Sequence, residues 1–304
     1  MEYAARPLIP KAGGRPGGTP ARGRRRGLVV MLLVDLDPEL AALRPLGGFF
    51  VLRTTAGARR PPAPLPPTLA ETYATAATAA SAATAATAAP GTAAGATAAD
   101  GAARDVLTSR VATVADRLRT GEARVAASIA HQGLAARLWS TALACAALYG
   151  RLPDLGPGLL RWHGAAPAPD DLWLTEVRAA PGDPATLADA VLHAHLRPLG
   201  EALTARYGVA AGLLWGNAGS ALAGAARELD RWARAHGRTD VADRARRLTD
   251  DLFAHPLLRT TGTQPVPTFR RRSCCLYYRV PGGGVCGDCC FTRPPRSSPG
   301  AASG

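Results

Sequence analysis

Five of the six cysteines of this 304-residue chain, Cys274, Cys275, Cys286, Cys289 and Cys290, fall within 17 residues, while Cys145 stands alone in an apolar stretch. A disulfide framework spreads its cysteines through a domain to join distant loops, whereas crowding at one end is the pattern of metal ligation. The spacing is Cys-Cys-x10-Cys-x2-Cys, followed at once by Cys290. Cys286 and Cys289 bracket two residues, which lets one turn offer two thiolates to a single metal centre, and Cys274 with Cys275 supplies two more. Neighbouring cysteines tend to point apart and suit one tetrahedral zinc poorly. The longer [2Fe–2S] rhomb takes two thiolates on each iron and accommodates an abutting pair on one side. Spacing therefore favours iron–sulfur and leaves zinc open. Four thiolates fill such a centre, so Cys290 is a spare thiol and Cys145 a small buried hydrophobe.

The residues around the cysteines suit redox use. Gly282, Gly283 and Gly284 have no side chains to keep their amides from the sulfurs, and Arg270, Arg271, Arg272 and Arg279 place positive charge where an added electron would be stabilised. The three glycines lack the strand, helix and spacing of a dinucleotide fingerprint, so neither flavin nor nicotinamide is expected. His193 and His195 are two apart and on a helix would point away from each other. His131, His163, His236 and His255 have no ligand spacing. No histidine metal site or histidine-based nucleophile is expected.

The segment Arg270-Arg-Arg-Ser-Cys-Cys-Leu-Tyr-Tyr-Arg, with Pro281-Gly-Gly-Gly and Cys286-Gly-Asp-Cys289, resembles the C-terminal segment of the FhuF-like ferric siderophore reductases, in their actinobacterial form. Weaker echoes stand at Arg124–Ser128, Gly133–Ser140 and Leu213–Asn217, so the resemblance covers about residues 105–291 and extends to Leu36–Thr54. It implies a [2Fe–2S] cluster on Cys274, Cys275, Cys286 and Cys289. It also implies one-electron reduction of a ferric siderophore, of the hydroxamate type, releasing Fe(II) in the cytoplasm. Hard anionic oxygens hold Fe(III) far more tightly than Fe(II), so one electron frees the metal, and no acid–base or covalent catalytic residue is needed. A separate electron donor is then required: a ferredoxin, a flavin reductase or a reduced small carrier. Arg272, Tyr277, Trp215 and Trp139 are candidate substrate contacts, and Asn217 either meets a hydroxamate or caps backbone. The rival readings are an iron–sulfur sensor or regulator and a structural zinc module.

The elements that must position these residues are read from periodicity. Val106 to Leu118 and Val125 to Leu148 recur at helical spacing, and Gly150 with Pro153 closes the second of these helices. Helices follow over Leu187–Leu203, Leu213–Ala235 and Val241–Leu252. Leu159, Leu160 and Trp162, then Leu172, Trp173, Leu174 and Val177, form two strands of a small antiparallel sheet. Leu40, Leu43 and Leu46 suggest a short helix, and Phe49 to Leu52 a strand. The fold class is α+β, predominantly helical, with a small antiparallel sheet and a C-terminal iron–sulfur loop. The expected divisions are a disordered basic arm at 1–30 and a helix–strand piece of the reductase domain at 31–56. A Pro-rich and Ala/Thr low-complexity insertion or linker follows at 57–103, then the reductase body at 104–268, the cluster-binding segment at 269–292 and a disordered tail at 293–304. In 57–103, threonine every third or fourth residue and no apolar stripe leave nothing to dock.

The formal charge of +13 is uneven: +6 in residues 1–27, +5 in 270–296 and +2 in the 242 residues between. The body is nearly neutral and has no helix-turn-helix, which speaks against nucleic acid as a partner. Arg24, Arg25 and Arg26 before Leu28–Val34 fall short of an export signal, because the apolar run is seven residues long. The charge-free stretch Thr72–Ala99 is too weakly apolar for stable membrane insertion. The expected location is the cytoplasm, free or at the inner face of the membrane, where thiols stay reduced.

Overall fold

In the computed structural model, Ala123–Tyr149 (α3) is the axis around which the rest is built. It is alanine-rich, with Leu134, Leu138, Trp139 and Leu143, and is apolar around nearly its whole circumference. Such a helix is stable only when covered on all sides. Gly150 ends it at φ +70°, returning its N–H to the Ala146 carbonyl at 3.0 Å. Ala211–Ala235 (α6) lies along it, and Val106–Leu118 (α2) and Thr239–Ala254 (α7) pack on it as well. Small residues of α6, among them Gly216, Ala218, Gly219, Ala221 and Ala223, permit that close approach. The structure describes Leu40 and residues 43–56, 62–88, 105–263 and 268–295, with only the backbone at 79–88. The whole of the expected basic arm, residues 57–61 and 89–103 of the insertion, and residues 296–304 of the tail lie outside these. All described residues belong to one unit.

The small sheet follows the expected pairing. Leu160–Trp162 (β3) runs antiparallel to Leu172–Leu174 (β4), and Arg53–Thr54 (β1) adds in parallel on the other side of β4. Arg151–Pro153 (β2) pairs antiparallel with Ala179–Pro181 (β5). Phe49 to Leu52 is not a strand, and the ladder begins only at Arg53. The buried guanidinium of Arg137 takes the carbonyls of Gly48, Phe49 and Val51, acceptors that a sheet neighbour would otherwise use. Its charge is met by buried Asp171, 2.9 Å from Nε. The turn before it is a 3-10 segment, Arg44–Leu46.

Within the stretch read as a low-complexity insertion, Leu69–Ala88 (α1) is a helix, and its first two turns dock through Leu69, Tyr73 and Ala76. Thr68 and Glu71 start it with a capping box. The Thr68 amide donates to Glu71 Oε2 at 2.7 Å, and the Glu71 amide donates to Thr68 Oγ1 at 3.1 Å. The expected third helix is longer and composite: Pro184–Ala188 (α4), a π-helical turn Asp189–Leu196, and Arg197–Tyr207 (α5). Buried His195 on the π-helical turn accepts from the Tyr73 hydroxyl at Nδ1, 3.0 Å, and donates from Nε2 to the Leu155 carbonyl, 2.6 Å. That fixes a neutral tautomer and ties α1 to the body. His193 instead stacks edge-on against His255. The chain then passes through Gly262–Thr263 (β6), which pairs antiparallel with Arg270–Arg271 (β7) and delivers the cysteine segment to α3 and α6.

Candidate metal centre

Five polar contacts seat the cysteine segment on the two central helices. Ser128 on α3 donates to the Cys275 carbonyl at 2.9 Å. Asn217 on α6 donates to the Ser128 carbonyl at 2.8 Å and receives the Arg271 guanidinium at Oδ1. Arg279 reaches back to Glu122 at the start of α3, at 2.8 Å. Asp288 is held between Ser220 Oγ, 2.6 Å, and Arg227, 3.0 Å, both on α6. A β-carbon at Gly216 would stand 2.1 Å from Ser273 Oγ, so a larger residue there would turn that hydroxyl away from the Gly212 carbonyl to which it donates.

The five thiols separate into two groups. Cys275 Sγ is 3.6 Å from Cys286 Sγ, while the sulfurs of Cys274, Cys289 and Cys290 lie within 4.8 Å of one another. The adjacent Cys274 and Cys275 therefore face different partners and do not serve as an abutting pair on one side, as the spacing suggested. Backbone amides two residues on approach the sulfurs: Leu276 N–H donates to Cys274 Sγ at 3.3 Å and Phe291 N–H to Cys289 Sγ at 3.4 Å. The amides of Tyr277 and Asp288 act on Cys275 and Cys286 in the same way, favouring their thiolates. The amide of Gly283, by contrast, is spent on the Val280 carbonyl. Tight backbone approach to sulfur thus comes from the turns after Cys274, Cys275, Cys286 and Cys289.

One proton is shared across the Cys275–Cys286 contact. The hydrogen bond between them draws Cys275 down to about 7 and drives Cys286 up, so this pair yields one thiolate near neutral pH. Burial raises Cys274 and Cys290. Arg271 favours the thiolates of Cys274, Cys275, Cys286 and Cys290 alike. Its side chain is 2% exposed, no carboxylate pairs with it among the described residues, and Nε has no hydrogen-bond partner.

Residues 271–291 match the family described as FhuF 2Fe-2S C-terminal domain, and residues 143–266 match the family described as ferric iron reductase FhuF-like transporter. The two matched segments are FhuF-like. A comparison with curated proteins finds no match. The cofactor of the FhuF-like tail is a [2Fe–2S] cluster, and the residues present fit it. A four-thiolate cluster carries about −2 charges when oxidised and about −3 when reduced, so it supplies the anion that buried Arg271 otherwise lacks.

A cavity of about 490 Å³ opens beside this site, walled by Cys286, Gly287 and Asp288, by Gln132 and Ser140 of α3, by Ser220 and Arg227 of α6, and by Phe49. The sequence-predicted substrate contacts fall elsewhere. Trp139 is fully buried in the core and closed to a ligand. Trp215 is half-buried and lines a different hollow with His131. Arg272 and Tyr277 are exposed on the cysteine segment. Sequence reasoning missed the roles of Ser128, Glu122, Arg227 and Asp288. Ser128 and Asp288 stand inside the motifs quoted above, but nothing in their spacing tells which sulfur or helix they touch.

Proposed function

We propose that this FhuF-like protein is a ferric siderophore reductase: the [2Fe–2S] cluster supplies one electron to an Fe(III) complex, of the hydroxamate type, and Fe(II) is released in the cytoplasm. The observation that carries this reading is the cavity whose wall is the Cys286–Asp288 turn. A bulky chelate seated there would lie against the peptide bonds that cover a ligand cysteine, the short path an outer-sphere electron needs. Its volume is within the range of about 300–1,000 Å³ usual for small-molecule sites.

The ligands in this reading are Cys274, Cys275, Cys286 and Cys289, the four whose sulfurs are approached by the amide two residues on. The chain's own work is then positional. Ser220 and Arg227 pin Asp288, and so fix the Cys286 turn at the cavity wall. Arg137 pins the backbone of Gly48 and Phe49 opposite it, and Phe49, 47% exposed, offers an apolar face to the ligand's hydrocarbon. Gln132 and Ser140 offer hydrogen-bonding groups to its oxygens. No helix among the described residues is long and apolar enough to cross a membrane. The electron donor is a separate one-electron carrier.

Dithionite-reduced protein, freed of excess reductant and mixed anaerobically with a ferric trihydroxamate and an Fe(II) trap, should bleach the ferric complex and return the oxidised cluster spectrum. A cluster that stays reduced while the ferric complex persists would sink the reading. Purified protein holding zinc in place of iron and sulfide would sink it earlier.

A further inference from the structure

The division of the thiols is unequal. Each iron of a [2Fe–2S] cluster takes two thiolates. Cys275 and Cys286, 3.6 Å apart, make one complete set, whereas Cys274, Cys289 and Cys290 offer three sulfurs, mutually within 4.8 Å, where two suffice. The excess sulfur can be recognised. Cys274 and Cys289 each receive the N–H two residues on, the arrangement that holds a thiolate ready for metal, while the only amide at Cys290 is its own. Cys289 is buried, whereas Cys274 and Cys290 are half-buried, so of the adjacent Cys289 and Cys290 it is Cys290 that lies toward solvent.

We propose that Cys290 is a stand-by ligand for the iron held by Cys274 and Cys289. When the Cys289 sulfur is lost, the Cys290 thiolate takes its coordination position. One iron–sulfur bond replaces another, the thiol proton goes to solvent, and no electron is exchanged. The other iron has no such reserve, because the one remaining cysteine, Cys145, is buried within α3. The tail is therefore tolerant of damage at one end of the cluster and intolerant at the other. This inference rests on the [2Fe–2S] reading of the site.

The test compares full-length Cys289→Ala, Cys286→Ala, Cys290→Ala and the double variant Cys289→Ala/Cys290→Ala, each purified anaerobically and checked for wild-type helicity by far-UV circular dichroism. Iron and sulfide per chain, visible circular dichroism and the EPR spectrum of the dithionite-reduced protein are the readouts. Cys289→Ala should keep near wild-type iron and sulfide with altered EPR g values. Cys290→Ala should match wild type, and Cys286→Ala and the double variant should lose the cluster. A Cys289→Ala protein as empty as Cys286→Ala overturns the proposal, and so does a double variant that keeps its cluster. Should Cys289→Ala lose helicity, Cys289→Ser with and without Cys290→Ser decides by the same comparison. If wild-type protein itself holds no [2Fe–2S] cluster, the underlying reading fails instead, and the two failures are told apart.

Discussion

Arg271 is the residue on which the electrostatics of the site turn. A buried guanidinium without a carboxylate is costly, and breaking a buried ion pair by removing one partner costs about 3–5 kcal/mol. Asn217, Gln132 and the Leu213 carbonyl give Arg271 dipoles but no countercharge. The sequence presents it as one of four similar arginines, and the structure sorts them. Arg279 is neutralised by Glu122, Arg270 bonds the Cys289 carbonyl at 3.1 Å, and Arg272 is exposed. Only Arg271 is buried. A fixed positive charge stabilises the reduced cluster more than the oxidised one, because the reduced form carries the extra electron. Arg271→Gln should therefore lower the reduction potential, by on the order of 100 mV if a few kcal/mol of charge interaction is lost at an effective dielectric of about 20. Redox titration followed by EPR measures this directly. An unchanged potential would mean that Arg271 is compensated by something other than the cluster.

At the scale of elements, α2, α6 and α7 were legible because burial of one face imposes a helical period on their Val, Leu and Ala, α3 because its long apolar run is closed by Gly150 and Pro153, and the β3–β4 pairing because Pro, Gly and Asp bound its two apolar runs. Helix α1 was not. Its outer turns are Ala and Thr, and composition concealed the capping box Thr68-Leu-Ala-Glu71, a signal present in the sequence and sufficient to start a helix. Its docking rests on Leu69 and Ala76 and on one tyrosine, Tyr73, whose partner, His195, is 122 residues away. The Phe49–Leu52 run misled in the opposite sense, since Phe50, Val51 and Leu52 are buried but the carbonyls of Phe49 and Val51 belong to Arg137. The α1–His195 junction also carries a pH signature. Burial lowers His195 to about 4 and His131 to about 3, from an ordinary value near 6.5. The unfolded chain thus binds these protons first. Their contribution to stability is complete above about pH 6.5 and is lost as pH falls from there toward 4, at about 1.4 kcal/mol per pH unit for each histidine. Thermal melts between pH 7 and 4 should show this loss, and His195→Gln should flatten the slope. A wild-type melting temperature level across that range would show that these imidazoles are not held neutral.

For the whole molecule, the question is how far the tail depends on its cofactor. The core around α3, α6 and α7 is closed by its own apolar side chains, Leu134, Leu138, Leu143, Leu222, Leu229, Leu248 and Leu252 among them, and none of these needs the cysteine segment. The segment itself contributes little apolar surface: Cys275, Val280 and Cys289 are its buried hydrophobics beyond Phe269. It is held by polar contacts to Ser128, Asn217, Ser220, Arg227 and Glu122, and by whatever balances Arg271. With the cluster in place, four thiolates are fixed to two irons and Arg271 faces an anion. Without it, the Cys275–Cys286 pair yields one thiolate, burial opposes ionisation of Cys274 and Cys290, and Arg271 is left under-compensated in a dry site. Removing the cluster should therefore release the tail while the helical body persists. Trypsin is the suitable probe, because Arg270, Arg271, Arg272 and Arg279, none of them followed by proline, offer cleavage sites along the segment. The cluster-loaded protein should resist cutting between residues 268 and 295. The cluster-free protein, prepared with chelator and oxidant and kept reduced afterwards, should be cut there while retaining its far-UV circular dichroism. Equal resistance in both forms would show that the tail folds on its own contacts, and that Arg271 needs no anion to remain buried.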